Sequence, residues 1–115
     1  MTFDNYQKQA LDFEMMERPE TIKADDKAMI AKVLGLVGES GEVAEKFKKI
    51  IRDKQGVISE EDKQNITKEL GDILWYIAVV ADYLHVPLDM VALENLDKLR
   101  DRKHRNVQRG NGDDR

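Results

Sequence analysis

Lys68-Glu69-Leu70-Gly71-Asp72-Ile73-Leu74-Trp75-Tyr76-Ile77-Ala78-Val79-Val80-Ala81 joins an acidic pair to nine uncharged, almost wholly apolar residues. Around it, Ile66, Leu70, Ile73, Ile77, Val80 and Leu84 recur at alternating steps of four and three, the spacing of one helical face. At about 100° per residue, Trp75, Tyr76, Val79 and Tyr83 lie well away from that stripe. A helix that is apolar nearly all round must be buried nearly all round. One short chain has too little remaining structure to cover both faces. The stretch therefore predicts a central helix and a homo-oligomer, a homodimer or homotetramer, with Trp75, Val79 and Tyr83 buried where copies meet.

Working outward, Ser59-Glu60-Glu61-Asp62 places acid in the first turn of this helix, where the helix dipole favours it, and the pattern runs to about His85. Gly56 separates it from a second helical pattern, Asp26 to Arg52, with Met29, Ile30, Val33, Val37, Ala44, Phe47 and Ile51 on one side. A first helix is expected from about Thr2, a suitable cap, to Glu17, with Phe3, Tyr6, Ala10 and Phe13 as its stripe. Pro19 to Asp26 reads as a loop. Pro87 fits the first turn of a last helix carrying Leu88, Val91, Ala92, Leu96 and Leu99. No segment alternates as a strand does. The fold class is all-α, a four-helix antiparallel bundle-like domain over residues 1–105, with 106–115 a flexible C-terminal tail.

The chain has 115 residues, enough for one core. It has no Cys, which excludes disulfides and thiolate metal sites. A net charge of −4 argues against a nucleic-acid polymer as partner, because duplex binding draws on a large positive field. No apolar run reaches membrane-spanning length and no signal pattern opens the chain, so no membrane partner and a cytoplasmic location are expected.

Two acidic pairs carry the chemistry: Glu39-Ser40-Gly41-Glu42 and Glu69-Leu70-Gly71-Asp72. Residues three apart on a helix share a face. If the two helices pack side by side, four carboxylates converge, and like charges so placed need compensation. A hard divalent cation is the usual answer, and all-oxygen ligation favours Mg²⁺, Mn²⁺ or Ca²⁺ over zinc. The bland reading is a solvated charged face, with Glu42 paired to Lys46 one turn on. Against it, nothing charged continues the face beyond Asp72. Gly41 and Gly71 also each cost about 1 kcal/mol relative to Ala in a helix, as close approach of a backbone or a ligand would require.

On the last helix Asn95, Lys98 and Arg102 share one face, with Asn95 inside the apolar arc, where a buried amide needs a partner. The two cations could reach anionic oxygens beside the acids, or simply complement the helix dipole. Asp82-x-x-His85 is half of a di-iron carboxylate motif, and the other half is missing.

These motifs resemble a known family. Leu34-Gly-Leu-Val-Gly-Glu39-Ser-Gly-Glu42-Val-Ala-Glu45, then Lys68-Glu69-Leu-Gly-Asp72-Ile-Leu, then Asn95-x-x-Lys98-x-x-x-Arg102 is similar to the MazG-like nucleotide pyrophosphohydrolases of the all-α NTP pyrophosphatase superfamily, over about residues 28 to 105. The resemblance implies hydrolysis of a nucleoside triphosphate to the monophosphate and pyrophosphate. It implies Mg²⁺ on Glu39, Glu42, Glu69 and Asp72, with Mn²⁺ as a substitute, and phosphate contacts from Asn95, Lys98 and Arg102. Tyr76, one turn after Asp72, matches a base-stacking tyrosine of relatives that resemble dCTP pyrophosphatases; an interface tyrosine is the other reading. Gly38 departs from the pattern, since the family often has a further Glu there. Two other functions stay open: a helical oligomeric regulatory module without catalysis, and a phosphoribosyl-ATP pyrophosphatase.

Overall fold

The computed structural model describes residues 1–106, 109, 110, 112 and 113. Four α-helices occur among them, α1 (Phe3–Ala10), α2 (Lys27–Lys54), α3 (Glu60–Tyr83) and α4 (Leu88–His104), and a 3₁₀ turn over Leu11–Phe13 extends α1. No strand is present among the described residues.

Each start has a local cause. The Thr2 hydroxyl accepts from the Asn5 N–H, and the Asp26 carboxylate accepts from the Ala28 and Met29 N–H groups. Ser59 and Asp62 form a reciprocal capping box at the head of α3. Between α2 and α3 the chain turns through Gln55 and Gly56, both left-handed, with φ of 55° and 80°. Lys54 Nζ then reaches the Asp62 carboxylate at 2.9 Å, which ties the end of one helix to the start of the next. The two long helices run back antiparallel from this turn. At their far end the Tyr76 ring lies against Gly35, where a Cβ would stand inside the ring's van der Waals surface.

The first helix is shorter than its pattern predicts. Glu14 leaves helical geometry, with φ −76° and ψ 120°, because its carboxylate is claimed elsewhere. It accepts from the Met16 N–H at 2.9 Å, from the Tyr83 hydroxyl at 2.6 Å and from Lys32 Nζ at 2.9 Å. Lys32 and Glu14 are both 8% exposed. Burial alone would raise the Glu14 carboxyl, but Tyr83, the Met16 N–H and Lys32 together hold it below the ordinary range. The same carboxylate, together with burial, pushes the Tyr83 hydroxyl far up.

This N-terminal segment corrects the expected interface. Val79 and Tyr83 are fully buried inside a single chain, packed with Ala28, Met29, Leu11 and Met16. Trp75 donates to the Ala10 carbonyl at 2.9 Å, and Lys32 Nζ stands 5.8 Å from its ring centroid. The face assigned to a second copy is covered by α1 and the irregular segment after it. The opposite stripe is open in part: Leu70 is 52% and Leu84 43% exposed, while Ile66 is buried and Ile73, Ile77 and Val80 are half-buried, and on α2 Ile30, Val33, Leu34, Val37, Phe47 and Ile51 are exposed.

The bundle expectation also needs correction. Beyond His85, left-handed at φ 60°, the chain bends by 101° from α3 into α4. Pro87 is the residue before the helix, not in its first turn. The cause is α1. The Asp4 and Asp89 carboxylates each accept from the other's N–H, at 2.8 and 3.1 Å. Buried Gln7 donates to the Ala78 and Val86 carbonyls and accepts from the Leu88 N–H. These bonds pin the start of α4 to α1, so α4 packs on α1 and α3 instead of running back along α2. No single helix is long and apolar enough to cross a membrane. The tail expected over 106–115 lies partly outside the described residues.

Two predictions follow from the packing. Glu14→Gln should cost about 3–5 kcal/mol at neutral pH, because it strands a buried lysine. The Glu14 carboxyl is lower in the folded chain than in the unfolded one. Its contribution is therefore complete above the ordinary glutamate range and lost as pH falls below about 4. Urea unfolding from pH 7 to 3 should show a shallower acid limb in Glu14→Gln; equal limbs would contradict this. Separately, Gly35→Ala should gain about 1 kcal/mol of helix propensity in a Tyr76→Ala background. With the ring present it should gain nothing or lose stability. A four-protein melting cycle with no coupling would refute the close contact.

Candidate metal centre

Antiparallel α2 and α3 place Glu39 opposite Glu69 and Asp72. One carboxylate oxygen from each of the three lies within 4.8 Å of the others. Glu39 and Glu69 are half-buried and Asp72 is exposed. A hydrogen bond shared with Glu69, then burial, then the charges of Asp72, Glu69 and Glu42 raise the Glu39 carboxyl. That is the signature of acids crowded together without sufficient counter-charge.

Hard oxygen donors so close together suit a divalent cation, which bonds oxygens at about 2.0–2.6 Å. With no thiolate or imidazole in the set, the chemistry of the donors favours Mg²⁺, Mn²⁺ or Ca²⁺. The residues present therefore fit such an ion. Glu42 stands outside the three-oxygen group; it is exposed and acts on Glu39 through its charge.

Lys46 was read as a partner for Glu42 along the helix. Its Nζ instead crosses to α3 and lies 3.5 Å from Glu69 Oε1. Tyr6 was read only as core. Burial and the nearby Asp72 charge raise its hydroxyl, and it lines a small cleft with Met1, Thr2, Phe3 and Leu74. Only the fold shows either placement, because each contact joins residues from different helices.

The glycines divide differently from expectation. Where a Cβ would stand on Gly41 or Gly71, nothing among the described residues comes within 4 Å. Gly35 is the close approach, and it fixes Tyr76 one helical turn beyond Asp72. Tyr76 is half-buried there.

The α4 group is not gathered around the acids. Asn95 is exposed, not a buried amide. Asn95 and Lys98 line a cavity of about 560 Å³ with Leu36, Ile77, Val80 and Val91, and none of the four acids lines it. Lys98 Nζ lies 3.1 Å from Asp113 Oδ1, and Arg102 donates to the Asp113 carbonyl at 2.7 Å. Arg102 is only 4% exposed, and its Nε has no hydrogen-bond partner among the described residues. Both cations are thus engaged by Asp113 of the same chain.

Residues 27–107 match the model of the MazG nucleotide pyrophosphohydrolase domain. The chain is also 52% identical over 82 residues to the Gene 37 protein of Mycobacterium phage L5, an alignment covering 71% of this chain and 72% of the relative. No solved structure matches it significantly. The matched span contains both acidic helices and all of α4, and the chain belongs to the MazG nucleotide pyrophosphohydrolase family.

Proposed function

We propose that this protein hydrolyses a nucleoside triphosphate, a deoxy or non-canonical one included, to the monophosphate and pyrophosphate in a Mg²⁺-dependent reaction. The observation that carries the reading is the meeting of Glu39, Glu69 and Asp72 within 4.8 Å, in a chain of this family. In the reaction, a water oxygen forms a bond to the α-phosphorus. The bond from that phosphorus to the α–β bridging oxygen breaks, and the bridging oxygen departs with the β-phosphate.

Glu39, Glu69 and Asp72 would hold the cation, with Glu42 adding negative potential beside them. A bound Mg²⁺, or Mn²⁺ in its place, supplies neutralisation of phosphate oxygens and a more acidic water. Tyr76, fixed against Gly35, would face the nucleotide one turn from Asp72. Asn95, Lys98 and Arg102 are its remaining proposed contacts. A phosphate oxygen reaching Lys98 and Arg102 would have to displace the Asp113 carboxylate. The partner we propose besides substrate is a second copy of the chain, as a dimer or tetramer. Supporting it are the exposed Ile30, Val33, Leu34 and Val37 of α2 and a cavity of about 500 Å³ that Ile30, Val33, Leu34, Val80 and Leu84 line.

A pyrophosphate-release screen over canonical, deoxy and damaged nucleotides, with and without Mg²⁺, tests the reaction. Mg²⁺ should raise the melting temperature, since a ligand that binds only the folded state stabilises it. Asp72→Asn and Glu69→Gln should lower turnover by more than about 100-fold. Both should stay helical, with metal-free melting temperatures equal to or above wild type, because each removes one of the repelling charges. Near-wild-type turnover in Asp72→Asn would remove the proposed centre. For self-association, light scattering at micromolar concentration should give a mass at least twice that of one chain. A monodisperse monomer would overturn that part.

A further inference from the structure

The diphosphate end of a nucleoside triphosphate carries most of its charge and must sit close to the carboxylates as it leaves. Lys98 and Arg102 are engaged by Asp113. Lys46 is the cation in contact with the cluster, 3.5 Å from Glu69 and 33% exposed. It heads a cleft of about 190 Å³ between α2 and α3, lined also by Lys49, Asp53, Lys54, Asp62 and Asn65.

The charges within this cleft favour an anion. Asp53 is answered by the Arg52 guanidinium at 2.8 Å, and Asp62 by Lys54 at 2.9 Å and by the Ser59 N–H at 3.0 Å. Lys49 lies 3.8 Å from Glu45, a surface pair of little strength, and its charge also acts on Asp53. A lysine ammonium has three donors. One of those on Lys46 faces Glu69, which leaves the others for oxygens in the cleft.

We infer that this α2–α3 cleft is the diphosphate subsite, in which Lys46, supported by Lys49 and the Asn65 amide, binds the β- and γ-phosphate oxygens and then the pyrophosphate product. The inference rests on the pyrophosphohydrolase reading above. It adds a site that the acidic and α4 motifs do not contain, and it makes Lys46 a substrate-binding residue as well as a counter-charge to Glu69.

The test is calorimetric titration of the full chain with inorganic pyrophosphate in Mg²⁺, alongside KM and kcat for a nucleotide that the wild type hydrolyses. Lys46→Met should weaken pyrophosphate binding about tenfold or more, the worth of a charge-assisted hydrogen bond. It should raise KM more than it lowers kcat. Lys46→Arg should restore most of the affinity, and Lys48→Ala, a lysine outside the cleft, should bind as wild type does. The metal-free melting temperature of Lys46→Met should fall, since Glu69 loses its counter-charge. That fall with unchanged pyrophosphate affinity would make Lys46 merely structural and overturn the inference. So would a loss of affinity confined to Lys98→Ala. If the wild type hydrolyses nucleotides while Lys46→Met matches it throughout, only the inference falls. If the wild type neither hydrolyses nucleotides nor binds pyrophosphate, the underlying reading falls with it.

Discussion

The antiparallel register of α2 against α3 decides where every acid stands, and it is fixed from both ends. At the turn, the Ser59–Asp62 capping box and the Lys54–Asp62 pair set where α3 begins relative to α2. At the far end the Tyr76 ring occupies space that only a glycine at 35 leaves open. A slip of one residue would rotate α3 by about 100° and carry Glu69 and Asp72 away from Glu39. The cluster itself cannot maintain this alignment, because its members repel. Packing along the helices holds together what electrostatics would separate.

The N-terminal segment supplies much of that packing. Glu14, Lys32 and Tyr83 join the segment after α1 to both long helices within one buried, hydrogen-bonded group. A buried ion pair of this kind adds little net stability over an apolar replacement, yet losing one member is costly. Its effect is to specify one seat for the segment over Trp75, Val79 and Tyr83. The same segment, through Gln7 and Asp4, then aims α4. Both departures from the expected bundle, the covered face of α3 and the bend into α4, thus have one origin.

Helix existence, type and caps were legible because they are local. Thr2 caps as its place before the first apolar stripe suggests, and α2 and α3 open near Asp26 and Ser59 as expected. The spacing puts each acidic pair on one helical face, and the expectation of four converging carboxylates meets a group of three, without Glu42. What was not legible depends on partners distant in sequence. Nothing near Glu14 says that its carboxylate will leave the helix for Lys32 and Tyr83. Hydrophobic periodicity marked α3 as apolar all round but could not say which face the chain covers itself. It assigned Val79 and Tyr83 to another copy, whereas Leu70 and Leu84 are the ones left open. Gly41 and Gly71 drew attention through their place in the motifs. Gly35, which makes the close contact, gave no such signal, because its partner Tyr76 lies on the other helix.

The charge pattern around the centre shows why Lys46 belongs to the site. The hydrogen bond shared with Glu69, burial and then the charges of Asp72, Glu69 and Glu42 raise the Glu39 carboxyl, so repulsion among the acids is only partly offset. A single lysine at 3.5 Å, itself one-third exposed, offsets part of one carboxylate and no more. Complete neutralisation by further lysines would relieve the repulsion, but it would oppose binding of a divalent cation. Too little counter-charge would leave more of the repulsion among the acids for the helix packing to oppose. One partly exposed ammonium at the edge of the cluster satisfies both demands. It steadies Glu69 when the site is empty, and it stands on the side from which a diphosphate can approach without meeting an uncompensated acid.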